Sequence, residues 1–188
     1  MIAVLADQSI ATARLVLRPI AATDADAVHA LFANWNVVRH LSLPPWPYVP
    51  GDAETWIAAT RHPDSGEATF AITLNGDLIG AISVRMRPAG PTQRGAGPDI
   101  GYWLGEPYWG NGYMTEAVRA LVPAVFTACA CEAIYSGAFS DNTASLAVQA
   151  KIGFVVDGET TLVSRPRGGD FPHTNTVLTK ARFEAHDR

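Results

Sequence analysis

Apolar residues recur along the chain with two different periods, and the alternation between them predicts the elements. Residues 13–20 (ARLVLRPI) set Leu15 and Leu17 against Val16 and Arg18, a strand closed by Pro19. Thr23 then reads as a helix cap with Asp24 and Asp26 in the first turn, and Val28, Leu31, Phe32 and Trp35 form one apolar stripe. Prolines at 44, 45, 47 and 50 make the next stretch a loop, after which Asp52 caps a short helix containing Trp56 and Ile57 that stops before Pro63. Phe70, Ile72 and Leu74 alternate, Asn75-Gly76 tolerates positive φ, and Leu78 to Met86 alternate again: a β-hairpin. A loop from Pro88 to Pro98, rich in glycine and proline, leads into a strand from Asp99 to Leu104. A helix follows from about Tyr113 to Ala128, with Val118, Leu121, Val122 and Val125 on its inner face. Pro123 lies inside it, at a cost of roughly 3 kcal/mol in a helix interior, and a kink is expected there. Ala133 to Phe139 read as a strand, Asn142 to Ile152 as a helix ended by Gly153, and Phe154 to Val156 as the start of another strand. Residues 157–172 read as a polar loop or wide hairpin end, and Thr176 to Thr179 as part of the last strand. The succession implies a single α+β domain over residues 1–188, with helices packed on a mixed sheet and with 1–11 and 183–188 peripheral.

Composition narrows the function classes. Nearly half the 188 residues are apolar and 17% are charged, which is globular composition with core enough to fold unaided. A net charge of −4 leaves no basic excess to neutralise nucleic-acid phosphates. The only cysteines, Cys129 and Cys131, are too few for a disulfide framework and lack the further ligands of a zinc site, so both read as small buried residues. No metal is expected. The first residues carry no basic leader, and no stretch approaches the ~20 apolar residues of a membrane span. A soluble cytoplasmic protein is the expectation.

The chemistry centres on "DIGYWLGEPYWGNGYMTEA", residues 99–117. Gly110 and Gly112 remove side chains from a turn whose amides can converge on an anion, and the following helix N-terminus adds unpaired N–H groups and a positive dipole end. Thr115 offers a hydroxyl in the first turn. The stretch has the makings of a pyrophosphate cradle, although a glycine turn before an ordinary helix would read the same way. It is neither a Walker loop, which needs Gly-Lys-Ser/Thr, nor a dinucleotide fingerprint, since Thr115 stands where a third glycine belongs.

This stretch resembles the coenzyme A-binding motif of the GNAT superfamily of N-acetyltransferases, written Gln/Arg-x-x-Gly-x-Gly/Ala. It is most similar to the branch of ribosomal-protein N-terminal acetyltransferases, which reads "IGYWL…YWGKGYATEA". "TARLVLRPI" (12–20), "VVRHLSLPPWPYVPGDAETWI" (37–57) and "SDNTASLAVQAKIGF" (140–154) resemble the branch's first strand, its acceptor-side loop and second helix, and its "Asn-x-x-Ser…Lys-x-Gly-Phe" segment. The resemblance implies a mostly antiparallel mixed sheet with helices on both faces, and transfer of acetyl from acetyl-CoA to a primary amine, either a protein or peptide α-amine or a small amine. A detoxifying acetyltransferase and a non-catalytic acyl-CoA-binding module are the alternatives, and either a monomer or a homodimer is compatible.

The resemblance implies that the cofactor meets Tyr102, Trp103 and Leu104 along the strand, Trp109, Gly110, Asn111, Gly112, Tyr113, Met114 and Thr115 in the loop, and Asn142 and Ser145 beyond. Three residues depart from the pattern: Trp109 replaces the Gln/Arg and cannot bind phosphate through its side chain, Met114 replaces a small residue and is expected to crowd the loop, and Gln149 stands where many relatives carry an acid tyrosine. Asn142 either reaches the pantetheine or caps its helix, and Ser145 either faces the ligand and assists the leaving thiolate or faces solvent. Asp99 is the candidate base, against a plain strand-end carboxylate. His40 and His173 either border the acceptor or lie on the surface. Trp35, Trp46, Tyr48 and Trp56 divide between core and acceptor side, and Arg165 with Arg167 reads as a solvated pair in a mobile loop or as a contact for an acidic substrate.

Overall fold

The computed structural model describes residues 2–88 and 95–186, so the expected turn around Gly90 and Pro91 lies outside the described residues. The strands are β1 (Ile10–Ala11), β2 (Leu15–Pro19), β3 (Glu67–Leu74), β4 (Asp77–Arg87), β5 (Gly97–Leu104), β6 (Ala133–Phe139), β7 (Val155–Ser164) and β8 (Gly169–Thr179). They form one sheet in the order β1-β2-β3-β4-β5-β6-β8-β7. Every neighbouring pair is antiparallel except β5 with β6. The helices are α1 (Ala25–Phe32), α2 (Trp35–Val38), α3 (Asp52–Thr60), α4 (Tyr113–Cys129), α5 (Thr143–Ile152) and α6 (Lys180–His186).

Helices cover both faces, and the strand pattern follows from that. One core gathers Val118, Leu121 and Val122 of α4 against Phe70, Ile72, Ile82 and Ile100. The other gathers Val28 and Phe32 of α1 and Ile57 of α3 against Ala71 and Leu78. The alternation in β3 therefore separates large residues from small ones rather than buried from exposed, since both sets are buried. The hairpin turn is as expected, with Asn75 at φ 53° and Gly76 at φ 95°.

Several local expectations are corrected. Thr23 is not a cap: Ala22–Asp24 form a 3-10 turn, and the buried Asp24 carboxylate accepts from the Ala21 amide (2.8 Å) and from both ends of the Arg18 guanidinium (2.8 and 2.7 Å). Trp35 does not continue the α1 stripe, because α1 ends at Phe32 and Asn34 starts α2 by accepting from the Asn36 amide. Trp35 instead lies exposed beside Trp46, ring centroids 5.3 Å apart. Asp52 accepts from the Val49 amide at 2.7 Å, and the residue before α3 is Gly51 at φ 97°. The helix α4, by contrast, runs through Pro123 to Cys129 much as expected, with Pro123 on its exposed face.

The largest correction concerns 157–172. Most of it is strand: β7 and β8 pair from Val155↔Val177 to Ser164↔Gly169 around a turn at 165–168. β7 is an edge strand exposed along almost its whole length, so no period-two signal of burial is written into it.

Candidate active site

The site begins where two strands part. β5 is fully laddered to β4, from Gly80↔Leu104 to Arg87↔Gly97, but its parallel pairing with β6 is confined to Asp99↔Tyr135. The Ser136 hydroxyl donates to the Ile100 carbonyl (2.9 Å) at the start of the divergence. Beyond it the β6-facing backbone edge of residues 101–104 borders a cleft of about 780 Å³, within the usual range for a small-molecule site. Backbone donors and acceptors on such an edge are obligate hydrogen-bonding groups that an extended ligand with amides of its own can satisfy.

At one end the cleft runs into the glycine loop. Gly110 (φ 76°) and Gly112 (φ 77°) are both left-handed, a conformation that costs other residues roughly 1–2 kcal/mol. No side chain caps α4 at Gly112, so the first helical amides and the dipole face outward. The loop is braced from behind. Trp109 Nε1 donates to the Leu104 carbonyl (2.8 Å), tying loop to strand, and Asn111 Nδ2 donates to the carbonyls of Tyr108 (3.3 Å) and Trp109 (3.0 Å). Gly110, Gly112, Tyr113, Met114 and Thr115 line the cleft, whereas Asn111 is not on its wall. Met114 both lines the cleft and belongs to the buried core packed behind the loop.

Arg14, which drew no notice in the sequence, is part of the same brace. It donates to Glu116 (2.7 Å) and to the Asn111 carbonyl (3.1 Å), and its guanidinium lies 4.6 Å from the Tyr113 ring centre. Burial pushes the Glu116 carboxyl up, but bonds from Thr12 and Arg14 outweigh it and leave its pKa below the ordinary value. A second hollow beside the loop is lined by Gly112, Thr115, Glu116, Arg119 and Lys151.

The α5 wall carries a chain of polar groups. Asn142 caps α5 by accepting from the Ser145 amide (3.2 Å), which settles its side-chain oxygen in the capping role while the residue still lines the cleft. The Ser145 hydroxyl donates to the Tyr102 phenol (3.0 Å), and the phenol donates to the Ser145 carbonyl (3.2 Å). Gln149, at 1% exposure, donates to the Tyr102 phenol (3.3 Å) and the Gly137 carbonyl (3.2 Å) and accepts from Thr176 (2.7 Å). Burial raises the Tyr102 pKa, the two side-chain bonds only partly offsetting it, so the phenol stays protonated at neutral pH.

The opposite face carries Asp99, with Arg85 at 3.9 Å and Arg87 at 3.8 Å. His40, Leu41 and Ser42, leading into the proline-rich loop, also line the cleft. Burial first, then the Arg39 charge, pushes the His40 pKa below its ordinary value, with Asp141 opposing and Arg167 adding to the effect. Arg167 is not a solvated residue. Its side chain is 9% exposed, it donates to Asp141 (2.7 Å), and its guanidinium lies 4.3 Å from the Phe139 ring centre and 3.7 Å from that of Phe171. Arg165 donates its amide to the Ser42 carbonyl (2.9 Å), so the β7–β8 turn is pinned to the proline-rich loop. Tyr48 is buried in the α1–α3 core and Trp56 packs against that core near Trp103, leaving Trp35 and Trp46 as the exposed pair. Neither cysteine lines the cleft, and burial pushes both thiols up. Among the described residues no cluster of His, Cys, Asp and Glu could hold a metal, and no helix is long and apolar enough to cross a membrane.

Comparison with known proteins adds the following. A family profile, the acetyltransferase (GNAT) domain, matches residues 14–155. The N-acetyltransferase YoaA of Bacillus subtilis is 28% identical over 150 residues, 78% of this chain and 82% of that protein. The structure of Mycobacterium smegmatis RimJ in complex with CoA-disulfide superposes with a TM-score of 0.78 at 22% identity, covering 93% of this chain and 88% of that one. RimL, a ribosomal L7/L12 α-N-protein acetyltransferase in complex with coenzyme A, gives a TM-score of 0.76 at 20% identity, covering 92% and 98%. At these identities the two structures establish the α+β fold with its mixed, mostly antiparallel sheet.

Proposed function

The chain belongs to the GNAT acetyltransferase family, and from that premise we propose that it moves acetyl from acetyl-CoA to the α-amine of a protein or peptide by direct attack in a ternary complex. The observation that carries this reading is the parting of β5 from β6 at Asp99↔Tyr135, beside a cleft that ends at an uncapped glycine loop. The pantetheine arm lies along the open edge of Tyr102, Trp103 and Leu104, and the pyrophosphate lies on the amides of 110–115. Trp109 lines the cleft while its indole N–H ties the loop to β5, and Asn111 braces the loop away from the cleft wall. Arg119 and Lys151 supply positive charge near the remaining phosphate.

Attack by a neutral amine on the thioester carbonyl forms the C–N bond and builds an oxyanion, for which a backbone N–H near 102–104 is the simplest donor. The C–S bond then breaks and its electron pair leaves on sulfur. A thiol of pKa ~8.5 can leave with little protonation, and Ser145 is the hydroxyl we assign to it. The α-amine is preferred as acceptor on its own acidity: at pH 7 a group of pKa ~7.7–8 is neutral in roughly one molecule in ten, a lysine in roughly one in 2,500. The RimL neighbour, named for α-N-protein acetylation, supports the same choice.

Thiol release from acetyl-CoA, measured with a panel of short free-amino peptides, lysine-bearing blocked peptides and small amines, tests the reading. Release dependent on an α-amine is the expected result. Tight acetyl-CoA binding with no acceptor-dependent release from any member would replace the enzyme by an acyl-CoA-binding module.

A further inference from the structure

Glycine permits the backbone of residues 110–112 but does not dictate it. Gly110 and Gly112 both take positive φ, and a peptide plane beside a glycine can turn over at little steric cost, carrying its N–H away from a bound anion. The direction of each plane must therefore be set from outside. In a trans peptide the carbonyl and the N–H point opposite ways, so a donor that holds one carbonyl aims the next residue's amide.

Two donors do this here. Asn111 Nδ2 holds the Trp109 carbonyl (3.0 Å), which aims the Gly110 N–H away from that side chain. Arg14 Nη1 holds the Asn111 carbonyl (3.1 Å), which aims the Gly112 N–H away from Arg14. Gly110 and Gly112 line the cleft, and neither Asn111 nor Arg14 does, so both amides turn from their braces toward the cleft.

Arg14 is itself held in place. It lies in the turn between β1 and β2, where the Thr12 hydroxyl accepts from the Leu15 amide (2.8 Å) and donates to Glu116 Oε1 (2.6 Å). The same carboxylate accepts from the Arg14 amide (2.9 Å) and from its Nε (2.7 Å). The guanidinium, fixed at Nε, lies 4.6 Å from the Tyr113 ring centre and sets Nη1 on the loop carbonyl. Its Nη2 stands 3.7 Å from where a Cβ on Gly112 would be. A lysine would carry the same charge, but on one donor atom where arginine has several in a rigid plane.

We propose that Arg14 is a positioning residue for the cofactor: it fixes the Asn111–Gly112 peptide so that the Gly112 amide faces the pyrophosphate before acetyl-CoA arrives, with Thr12 and Glu116 holding it to that task. The proposal rests on the placement of the pyrophosphate on this loop. Its effect falls on affinity, because a loop ordered in advance loses less freedom on binding.

Calorimetric titration of acetyl-CoA into wild type, Arg14→Lys and Arg14→Met, at low and high salt, tests it, with the unfolding midpoint as the check on fold. Both variants should bind about tenfold more weakly, the size of one net hydrogen bond, and that ratio should not change with salt. The KM for acetyl-CoA should rise with kcat nearly unchanged. In the ¹⁵N–¹H spectrum of the free protein the Gly112 amide should give one sharp signal in wild type and broaden in Arg14→Lys, while the Leu121 amide within α4 stays sharp. A role in stability alone would leave the two amides alike and overturns the proposal. So does a folded Arg14→Met protein with wild-type affinity. Arg14→Lys binding like wild type, with an Arg14→Met defect that fades in high salt, also overturns it, since arginine would then act on phosphate as a charge. If Arg14→Met does not fold, Arg14→Lys decides alone, because it keeps both the charge and an aliphatic stem. A wild type that binds no acetyl-CoA removes the cofactor reading and the proposal with it, whereas unchanged variants remove the proposal only.

Discussion

Replacing Gln149 by leucine should cost stability and turnover together, because this one side chain joins α5 to β5, β6 and β8. The side chain is 1% exposed and nearly isosteric with leucine, so little cavity results. The cost comes from the partners. Thr176 loses a 2.7 Å acceptor, the Gly137 carbonyl loses a donor at 3.2 Å, and the Tyr102 phenol loses a second donor at 3.3 Å while keeping Ser145. Removing a bonding partner from a buried polar group costs up to about 1–3 kcal/mol, so the two losses together cost up to roughly 2–6 kcal/mol. For a domain of this size that is up to roughly 4–24 °C in Tm. Urea unfolding with the double mutant Gln149→Leu/Thr176→Val separates the terms, since removing both partners should recover part of the loss. Turnover should fall more than acetyl-CoA affinity, because Tyr102 and Ser145 lose the donor that holds them. A loss below about 0.5 kcal/mol, the size of an ordinary surface change, would refute the claim that this cluster holds the α5 wall.

Other expectations follow from single sites. Burial pushes the Asp24 carboxyl up, but bonds from Arg18 and the Ala21 amide outweigh it and leave its pKa below the ordinary value. Its contribution is therefore present above the ordinary carboxylate range and is lost as pH falls through the lowered pKa, so the urea-measured gap between wild type and Asp24→Asn should narrow on acidification below about pH 4. The double variant Cys129→Ala/Cys131→Ala should turn over like wild type with intersecting initial-rate lines, and parallel lines or complete loss would indicate an acyl-enzyme. Ser145→Ala should lower kcat about tenfold or less, since a thiolate of this acidity leaves with little help. A larger loss without loss of fold would make the hydroxyl an obligatory acid.

Legibility followed burial. The stretch from Ile100 to Ala117 could be read because each residue type there answers a backbone demand: glycine at positive φ, an apolar stripe behind it, and a strand before it. The β3–β4 hairpin was legible for the same reason. β7 was not, because an edge strand exposed on both sides carries no alternation, and 157–172 therefore read as a polar loop or wide hairpin end. Trp35 fitted the α1 period but lies beyond Asn34, whose side chain starts a new helix. Within the site, the candidates named from the strand and loop, all but Asn111, line one cleft. The bracing of that cleft was not readable. Arg14 reaches Glu116 across 102 positions and Gln149 reaches Thr176 across 27, and no local spacing encodes such pairs.

Calorimetric titration of acetyl-CoA into wild type and Gly112→Asp tests the central claim most directly. Gly112 sits at φ 77°, at the mouth of α4, where an aspartate adds strain, bulk and a negative charge beside the pyrophosphate. Loss of two phosphate bonds at ~1.5–3 kcal/mol each predicts binding weakened by more than about a hundredfold. Gly112→Ala, which shares the strain without the charge, should lose much less. Circular dichroism and the unfolding midpoint establish that each variant is folded. A folded Gly112→Asp protein that binds acetyl-CoA as tightly as wild type would contradict the placement of the cofactor on this loop.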